Sequence, residues 1–415
     1  MTTKATRARS TNGLAVTHTP RMVSLRKLLR QAAHALAGTM LGIVILEGTL
    51  RANPSLLLRG MALPSPADPR VQTLAYDVRA SQADIFFWIP DLVRPIDAAA
   101  DSIEAHVRFE TDEFGFPNRA PLPALADAVV LGRSYSLGAQ ASEPWPARVA
   151  QRMGWQMVNL SQAASGIDLK TDYLIRFGLP RHPRWVIVEV LPTMDILDYQ
   201  PPPPSLVSGL PFPLLQDLAR AVVATRRPAQ PSEYLYPLPV TLSGRRWMVT
   251  FFPFYLAGLT IETKTLEDSE QWEAFRLSLQ RLIGEAERSG ACVALLYAPT
   301  NAEIVFRAAD NPEELTPALP QVVSWGADAV GHLRQDGSVQ ASVPFMREHA
   351  FAARDALAAL AADLGVEWID PSGAMLATYQ RGENPFMMYD THWSFVGHTI
   401  VADEAAARLT EASCP

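Results

Sequence analysis

The sequence predicts an α/β domain built in three layers, a central parallel sheet between two layers of helices. Three observations carry this. Short apolar runs rich in valine, leucine and isoleucine recur at 128–131, 157–160, 185–191 and 292–298. They have the length of strands and lack polar alternation, as strands covered on both faces do. Helical stretches such as 145–152 and 169–177 lie between them, which is the alternation of a parallel sheet with crossover helices. Finally, Ser134, Gly166 and Met194 each follow a strand end, the place where such sheets gather ligands.

In chain order, residues 1–30 hold seven Lys/Arg and no acid, and read as a basic cytoplasmic tail. Residues 31–51 contain a mostly apolar stretch, AAHALAGTMLGIVILEGTL, just long enough to span a bilayer. With the basic flank before it, the positive-inside rule makes it a single transmembrane anchor, N-terminus inside and the body outside the cytoplasm. A cleaved signal, an organelle transit peptide and a buried amphipathic helix are the alternatives. The expected site is therefore a membrane that bounds the cytoplasm. Residues 52–125 form a proline-rich lead-in, in which HVRFETDEFGFPN (106–118) reads as an edge strand and hairpin covering one edge of the sheet. Residues 126–415 hold the α/β domain, with a proline-rich insertion at about 199–262. Phe251, Phe252, Phe254 and Tyr255 in that insertion read as core packing. Helices are expected at 267–289, 345–364 and 395–409, with a strand at 366–369.

Charge and cysteine usage narrow the function. Beyond residue 30 the chain carries 29 basic against 43 acidic groups, which argues against nucleic acid as a partner. Cys292, in an apolar run, reads as a small buried side chain, and Cys414 lies far from it in sequence; neither a disulfide framework nor zinc spacing is legible. No P-loop, dinucleotide fingerprint or zinc helix is present, so no cofactor and no metal are expected.

Two stretches carry chemistry. The first is AVVLGRSYSLG (128–138): a strand, Gly132, then Ser134 on a sharp strand-to-helix turn that exposes its hydroxyl beside free backbone N–H groups. The second is YDTHWSFVG (389–397), which supplies Asp390 and His392 just before the last helix. Serine needs a base, and a histidine base needs a partner that fixes its tautomer. With one residue between them, Asp390 and His392 fall on the same side of an extended loop.

In these blocks the chain resembles the SGNH (GDSL) hydrolase superfamily, in its membrane-anchored bacterial branch. The family's G-D-S block is matched by Gly132-Arg133-Ser134. Its second-block glycine is matched by Gly166 after Asn159-Leu160. Its G-N-D block corresponds to Thr193-Met194-Asp195 after WVIVEVLP, and its last block to Asp390-Thr391-His392-Trp393. An Asp and a His one residue apart and followed by Trp also resemble sugar-acetylating relatives. The resemblance implies a flavodoxin-like sandwich, the SGNH hydrolase fold. It implies a serine esterase or O-acyltransferase with Ser134, His392 and Asp390 as catalytic residues, and an oxyanion hole from the N–H groups of Ser134 and Gly166. The implied substrate is an acylated carbohydrate or small ester.

Two departures matter. Met194 stands where the family has an asparagine donor, and a lost oxyanion donor costs about 10²–10³ in rate; Thr193 is one residue away as a substitute. Arg133 replaces an aspartate, and is open to two roles: holding an anionic group of substrate, or pairing with Asp195. These departures leave a second reading, a weak or inactive binding partner among envelope-assembly proteins.

Overall fold

The computed structural model describes residues 34, 38–43, 45, 73–79, 103–163, 165–197, 236–311, 323, 342–387, 390–412 and 414. The chain divides into two units, Met1–Asn53 and Pro54–Pro415. In the first, the described residues are helical, and Met40, Leu41 and Ile45 are exposed. Among the described residues no helix is long and apolar enough to cross a membrane. Most of 31–51, the basic tail, and the proline run at 201–204 lie outside the described residues.

In the second unit, β1 (Thr73–Arg79) and β2 (Ile103–Glu110) pair antiparallel in a two-stranded sheet of their own. The expected edge strand of the central sheet is thus half of a separate ribbon. The turn after it contacts the main sheet. Asp112 accepts from the N–H groups of Phe114 (2.8 Å) and Phe116 (3.1 Å) and from Asn118 Nδ2 (2.7 Å). Asn118 in turn exchanges two hydrogen bonds with the main chain of Asn159 (2.9 and 2.8 Å).

The alternation then follows as expected. β3 (Ala128–Leu131) ends at Gly132, and a single turn, α1 (Ser134–Leu137), follows. α2 (Trp145–Met153) leads to β4 (Met157–Asn159). α3 (Ile167–Tyr173) widens into a π turn before β5 (Trp185–Val190), and a second π turn, Thr193–Leu197, comes after it. The insertion carries β6 (Tyr236–Leu242) and β7 (Arg245–Phe251), an antiparallel hairpin closed by Ser243 and Gly244, both at positive φ. α4 (Pro253–Gly258), α5 (Thr263–Glu267) and α6 (Glu270–Arg288) return the chain to β8 (Cys292–Tyr297). α7 (Asn301–Ala308), α8 (Val343–Glu348) and α9 (Ala352–Leu364) precede β9 (Glu367–Ile369), and α10 (Ser372–Gln380) and α11 (Phe395–Glu411) follow it.

The central sheet runs β4-β3-β5-β8-β9, all parallel. The chain therefore starts inside the sheet, at β3, and its direction of growth reverses between β3 and β5, which makes the crevice at their carboxyl ends a topological switch point. Side chains alternate between two cores. Val130, Ile187 and Leu296 face one layer of helices; Val129, Val186, Val188 and Leu295 face the other. All seven are fully buried, which is why these runs lack polar alternation.

Three expectations need correction. Cys292 and Cys414 form a disulfide across 122 residues, Cα–Cα 5.9 Å, tying the tail after α11 to the start of β8. Two lone cysteines far apart in sequence carry no spacing signal; only the fold brings them together. The insertion holds an ordered hairpin that Pro237 and Pro239 conceal, since proline counts against a strand. The helix expected over 345–364 is two helices, α8 and α9, broken at 349–351. There a His349 ring nitrogen bonds the Phe345 carbonyl (2.9 Å), supplying one of the partners that a helix end lacks.

Candidate active site

The site builds upward from Gly132. A Cβ at this position would lie 2.5 Å from Ser136 Cβ and 2.8 Å from Glu189 Oε2, so only glycine lets the turn seat on the end of β5. Once seated, the turn is held from below by Glu189, which is fully buried. Its carboxylate accepts from the Arg133 N–H (3.0 Å) and from the Ser136 hydroxyl, which in turn accepts from Trp145 Nε1 (2.9 Å). Asn159 Nδ2 donates to the Ser136 carbonyl (2.7 Å), linking the end of β4 to α1. Ser134, in the first position of α1, is partly exposed above this scaffold.

The loop after β4 is stitched to the same turn. Gln162 N–H (3.1 Å) and Ser165 Oγ (2.7 Å) both donate to the Gly132 carbonyl. Gly166, the N-cap of α3, thus lies beside the serine turn, and among the described residues a Cβ on it would meet open space within 4 Å.

The third block is buried rather than open. Asp195 accepts from Lys170 Nζ (3.0 and 3.1 Å) and from the Leu191 N–H (2.9 Å), and pairs with Arg133 Nε (3.2 Å). Of the two roles open to Arg133, the ion pair with Asp195 is the one present. Lys170 Nζ also donates to the Glu189 carbonyl (2.7 Å). Burial pushes the Glu189 carboxyl up and pulls the Lys170 ammonium down, while Lys170 opposes the first shift and Asp195 the second. Met194 packs against the core, and the Thr193 hydroxyl is buried without a hydrogen-bond partner.

On the far side, Asp390 and His392 meet. His392 Nδ1 lies 2.7 Å from Asp390 Oδ1, and the N–H groups of Thr391 (2.6 Å) and His392 (3.3 Å) bond the same oxygen. A carboxylate only accepts, so Nδ1 carries the proton and Nε2 is left as the basic nitrogen. Burial lowers the His392 pKa, but the charge and hydrogen bond of Asp390 outweigh it and the net shift is upward. Burial raises Asp390, and His392 with the two N–H groups brings it below the ordinary carboxylate value.

Tyr135, the residue after Ser134, joins the two halves. Its ring lies 4.9 Å from His392 and 4.7 Å from Trp393, and its hydroxyl donates to the Thr391 carbonyl (2.7 Å). Tyr255 of α4, from the insertion, is buried, and burial pushes its phenol up to about 12 against the opposing pull of Tyr135 and Thr391. Phe251, Phe254 and Tyr255 are buried, as packing predicts. No direct hydrogen bond joins Ser134 Oγ to the His392 ring. His398, inside α11, accepts the Trp145 N–H (3.3 Å) and is driven down to about 3 by burial and by Arg148, so it stays neutral.

Sequence reading singled out Ser134, Gly166, Asp390 and His392 but missed Glu189, Lys170, Ser136 and Tyr135. The signal for Glu189 was available: it is the one charged residue in the strand WVIVEV. Among the described residues no group of three or more His, Cys, Asp or Glu side chains could hold a metal ion.

No family model matches the chain, and no curated protein matches it. Solved structures do. Among them are proteins described as SGNH or G-D-S-L hydrolases and acetylxylan esterases. One is a protein described as lipolytic, of the G-D-S-L family, from Desulfitobacterium hafniense (11% identity, 68% of this chain and 98% of that one, TM-score 0.34). A second is described as an SGNH hydrolase from Slackia heliotrinireducens (11%, 68% and 97%, 0.35). A third is an acetylxylan esterase from Geobacillus stearothermophilus, in a catalytic mutant (11%, 69% and 94%, 0.33). At these identities and scores the superpositions carry no argument about chemistry, which rests on the residues.

Proposed function

We propose that this chain is a serine esterase or O-acyltransferase of SGNH type, held at the outer face of a cytoplasmic membrane and acting on acyl esters, acetyl groups on a glycan foremost. The observation that carries the reading is the Asp390–His392 pair, hydrogen-bonded at 2.7 Å and packed on Tyr135, the neighbour of Ser134 at the switch point of the sheet. The Asp-x-His-Trp order that resembles sugar-acetylating relatives supports the glycan. The seven basic residues before the apolar stretch support the tether, and the Cys292–Cys414 disulfide supports an oxidising compartment outside the cytoplasm.

The chemistry runs in two halves. His392 Nε2 takes the Ser134 proton as Oγ bonds to the acyl carbon, and the carbonyl π pair moves onto oxygen. Asp390 stabilises the imidazolium that forms. When the tetrahedral adduct collapses, the C–O bond to the leaving alcohol breaks and His392 returns its proton to that oxygen. Water, or the hydroxyl of an acceptor, then attacks the acyl-enzyme by the same route, giving hydrolysis or transfer.

The test is covalent labelling by a fluorophosphonate, followed by turnover of a panel of acetylated sugars and simple esters with and without an acceptor alcohol. Label on Ser134, lost in Ser134→Ala and His392→Ala, is the expected result. Unlabelled Ser134 with no Ser134-dependent turnover would leave a binding role in envelope assembly as the better reading.

A further inference from the structure

The proposed reaction needs an oxyanion hole, and this chain lacks the side-chain donor that the third block would supply. The Met194 side chain has no donor and packs against the core, its backbone N–H is spent on the Leu191 carbonyl, and the Thr193 hydroxyl is out of reach of solvent. Two backbone N–H groups remain, at Ser134 and Gly166. A hole short of one donor is expected to be slower by about 10²–10³.

Arg133 stands at the centre of this gap. It adjoins Ser134 in the chain. Its Nε donates to the carbonyl of Ser165 (2.9 Å), the neighbour of Gly166, and pairs with Asp195 (3.2 Å), the neighbour of Met194. Each of its three attachments is one residue from one of the three oxyanion positions. The attachments use only the backbone and Nε. Among the described residues no hydrogen bond is donated by Nη1 or Nη2. Guanidinium is a planar fork of five donors, so a fork pinned at Nε leaves four N–H groups in a fixed plane. The side chain keeps 11% exposure, whereas Asp195 has none, so the outer end is the part open to a ligand.

We infer that Arg133 is the third oxyanion donor of this chain: its Nη groups bind the oxygen of the tetrahedral intermediate, in place of the missing third-block amide. The inference rests on the esterase or acyltransferase reading above. It gives the departure in the first block and the departure in the third block a single cause. Arg133 puts a donor back where Met194 took one away, and Asp195 with Lys170 holds it in plane.

The experiment measures kcat and KM of the full chain on a neutral activated ester, p-nitrophenyl acetate, and on an anionic one, mono-p-nitrophenyl succinate. Arg133→Met, which removes the donors, is expected to lower kcat on both esters about 10²–10³-fold with KM nearly unchanged. Methylguanidinium added to Arg133→Ala should restore part of that kcat, and Arg133→Met/Met194→Asn should recover at least tenfold over Arg133→Met. A purely structural arginine would give neither rescue. Arg133→Lys, which keeps the charge beside Asp195 and so guards against loss of the fold, should still lose kcat, because its single ammonium is spent on that carboxylate. If Arg133→Lys and Arg133→Met turn over the neutral ester normally and lose only affinity for the anionic one, the arginine binds a substrate anion and the inference is overturned. Wild-type protein without Ser134-dependent turnover would overturn the esterase reading, and this inference with it; Ser134-dependent turnover indifferent to Arg133 would overturn this inference alone.

Discussion

Replacing Glu189 with alanine should damage stability and turnover together. Glu189 is the sole acceptor described for the Arg133 N–H and the acceptor for the Ser136 hydroxyl, both beneath the serine turn. Each buried donor left unmade costs about 1–3 kcal/mol, or about 2–6 kcal/mol for the pair. The change also upsets a buried balance of two cations, Arg133 and Lys170, against two carboxylates, Glu189 and Asp195; stripping one partner from such a set costs about 3–5 kcal/mol by itself. These costs overlap, and a loss of about 4 kcal/mol is the expected net. Glu189→Gln keeps the shape and an acceptor for the Arg133 N–H, and should lose about 1–3 kcal/mol. Urea unfolding followed by tryptophan fluorescence reads both: with a slope of about 3 kcal/mol per molar, the alanine midpoint falls by about 1 M or more. The esterase assay reads the turn itself, since a shift of about 1 Å in a nucleophile costs about 10² in rate. Wild-type unfolding together with wild-type kcat in Glu189→Ala would refute the claim that this carboxylate seats the nucleophile.

Three more expectations follow from the same geometry. Because Asp390 raises His392 above its ordinary value, kcat/KM should rise through an acid limb centred above pH 6.5 as Nε2 loses its proton; Asp390→Asn should move that limb to lower pH and cut kcat about 10⁴-fold, read from a pH–rate profile. Cys414→Ser should cost about 2–5 kcal/mol, and wild-type protein treated with dithiothreitol should unfold at the same urea concentration as the variant. Burial raises Glu303, between Tyr297 and Thr300, to about 7. Between about pH 4.5 and 7 the unfolded carboxyl has released its proton and the folded one has not, so stability falls as pH rises, by about 3 kcal/mol in all. Glu303→Gln should flatten that slope in urea midpoints taken at pH 5 and pH 8.

What the sequence discloses is what depends on local pattern. Four of the five strands of the central sheet are legible as short apolar runs, because strands covered on both faces lack polar alternation; their order in the sheet, and so the switch point, comes only from the fold. Ser134, Asp390 and His392 are legible because each sits at the edge of such an element. The supports beneath them depend on partners 25 to 256 residues away: Lys170 with Asp195, Arg133 with Glu189, Tyr135 with the Thr391 carbonyl. Nothing in IDLKTDY marks Lys170 as fully buried. The hairpin of β6 and β7 is hidden by its own prolines, and the Cys292–Cys414 bond by the length of chain it spans.

The two glycines of the site have opposite meanings for anyone reshaping it. Gly132 has no room: a single added carbon meets Ser136 and Glu189, so tolerance at this position reports on whether the floor of the site is intact, whatever ester is offered. Among the described residues nothing lies within 4 Å of a Cβ built on Gly166, so a small residue there meets open space beside the Ser134 turn. Variation at 132 therefore separates folded chains from unfolded ones. On the esterase reading proposed above, variation at 166 would change the bulk of acyl group that fits.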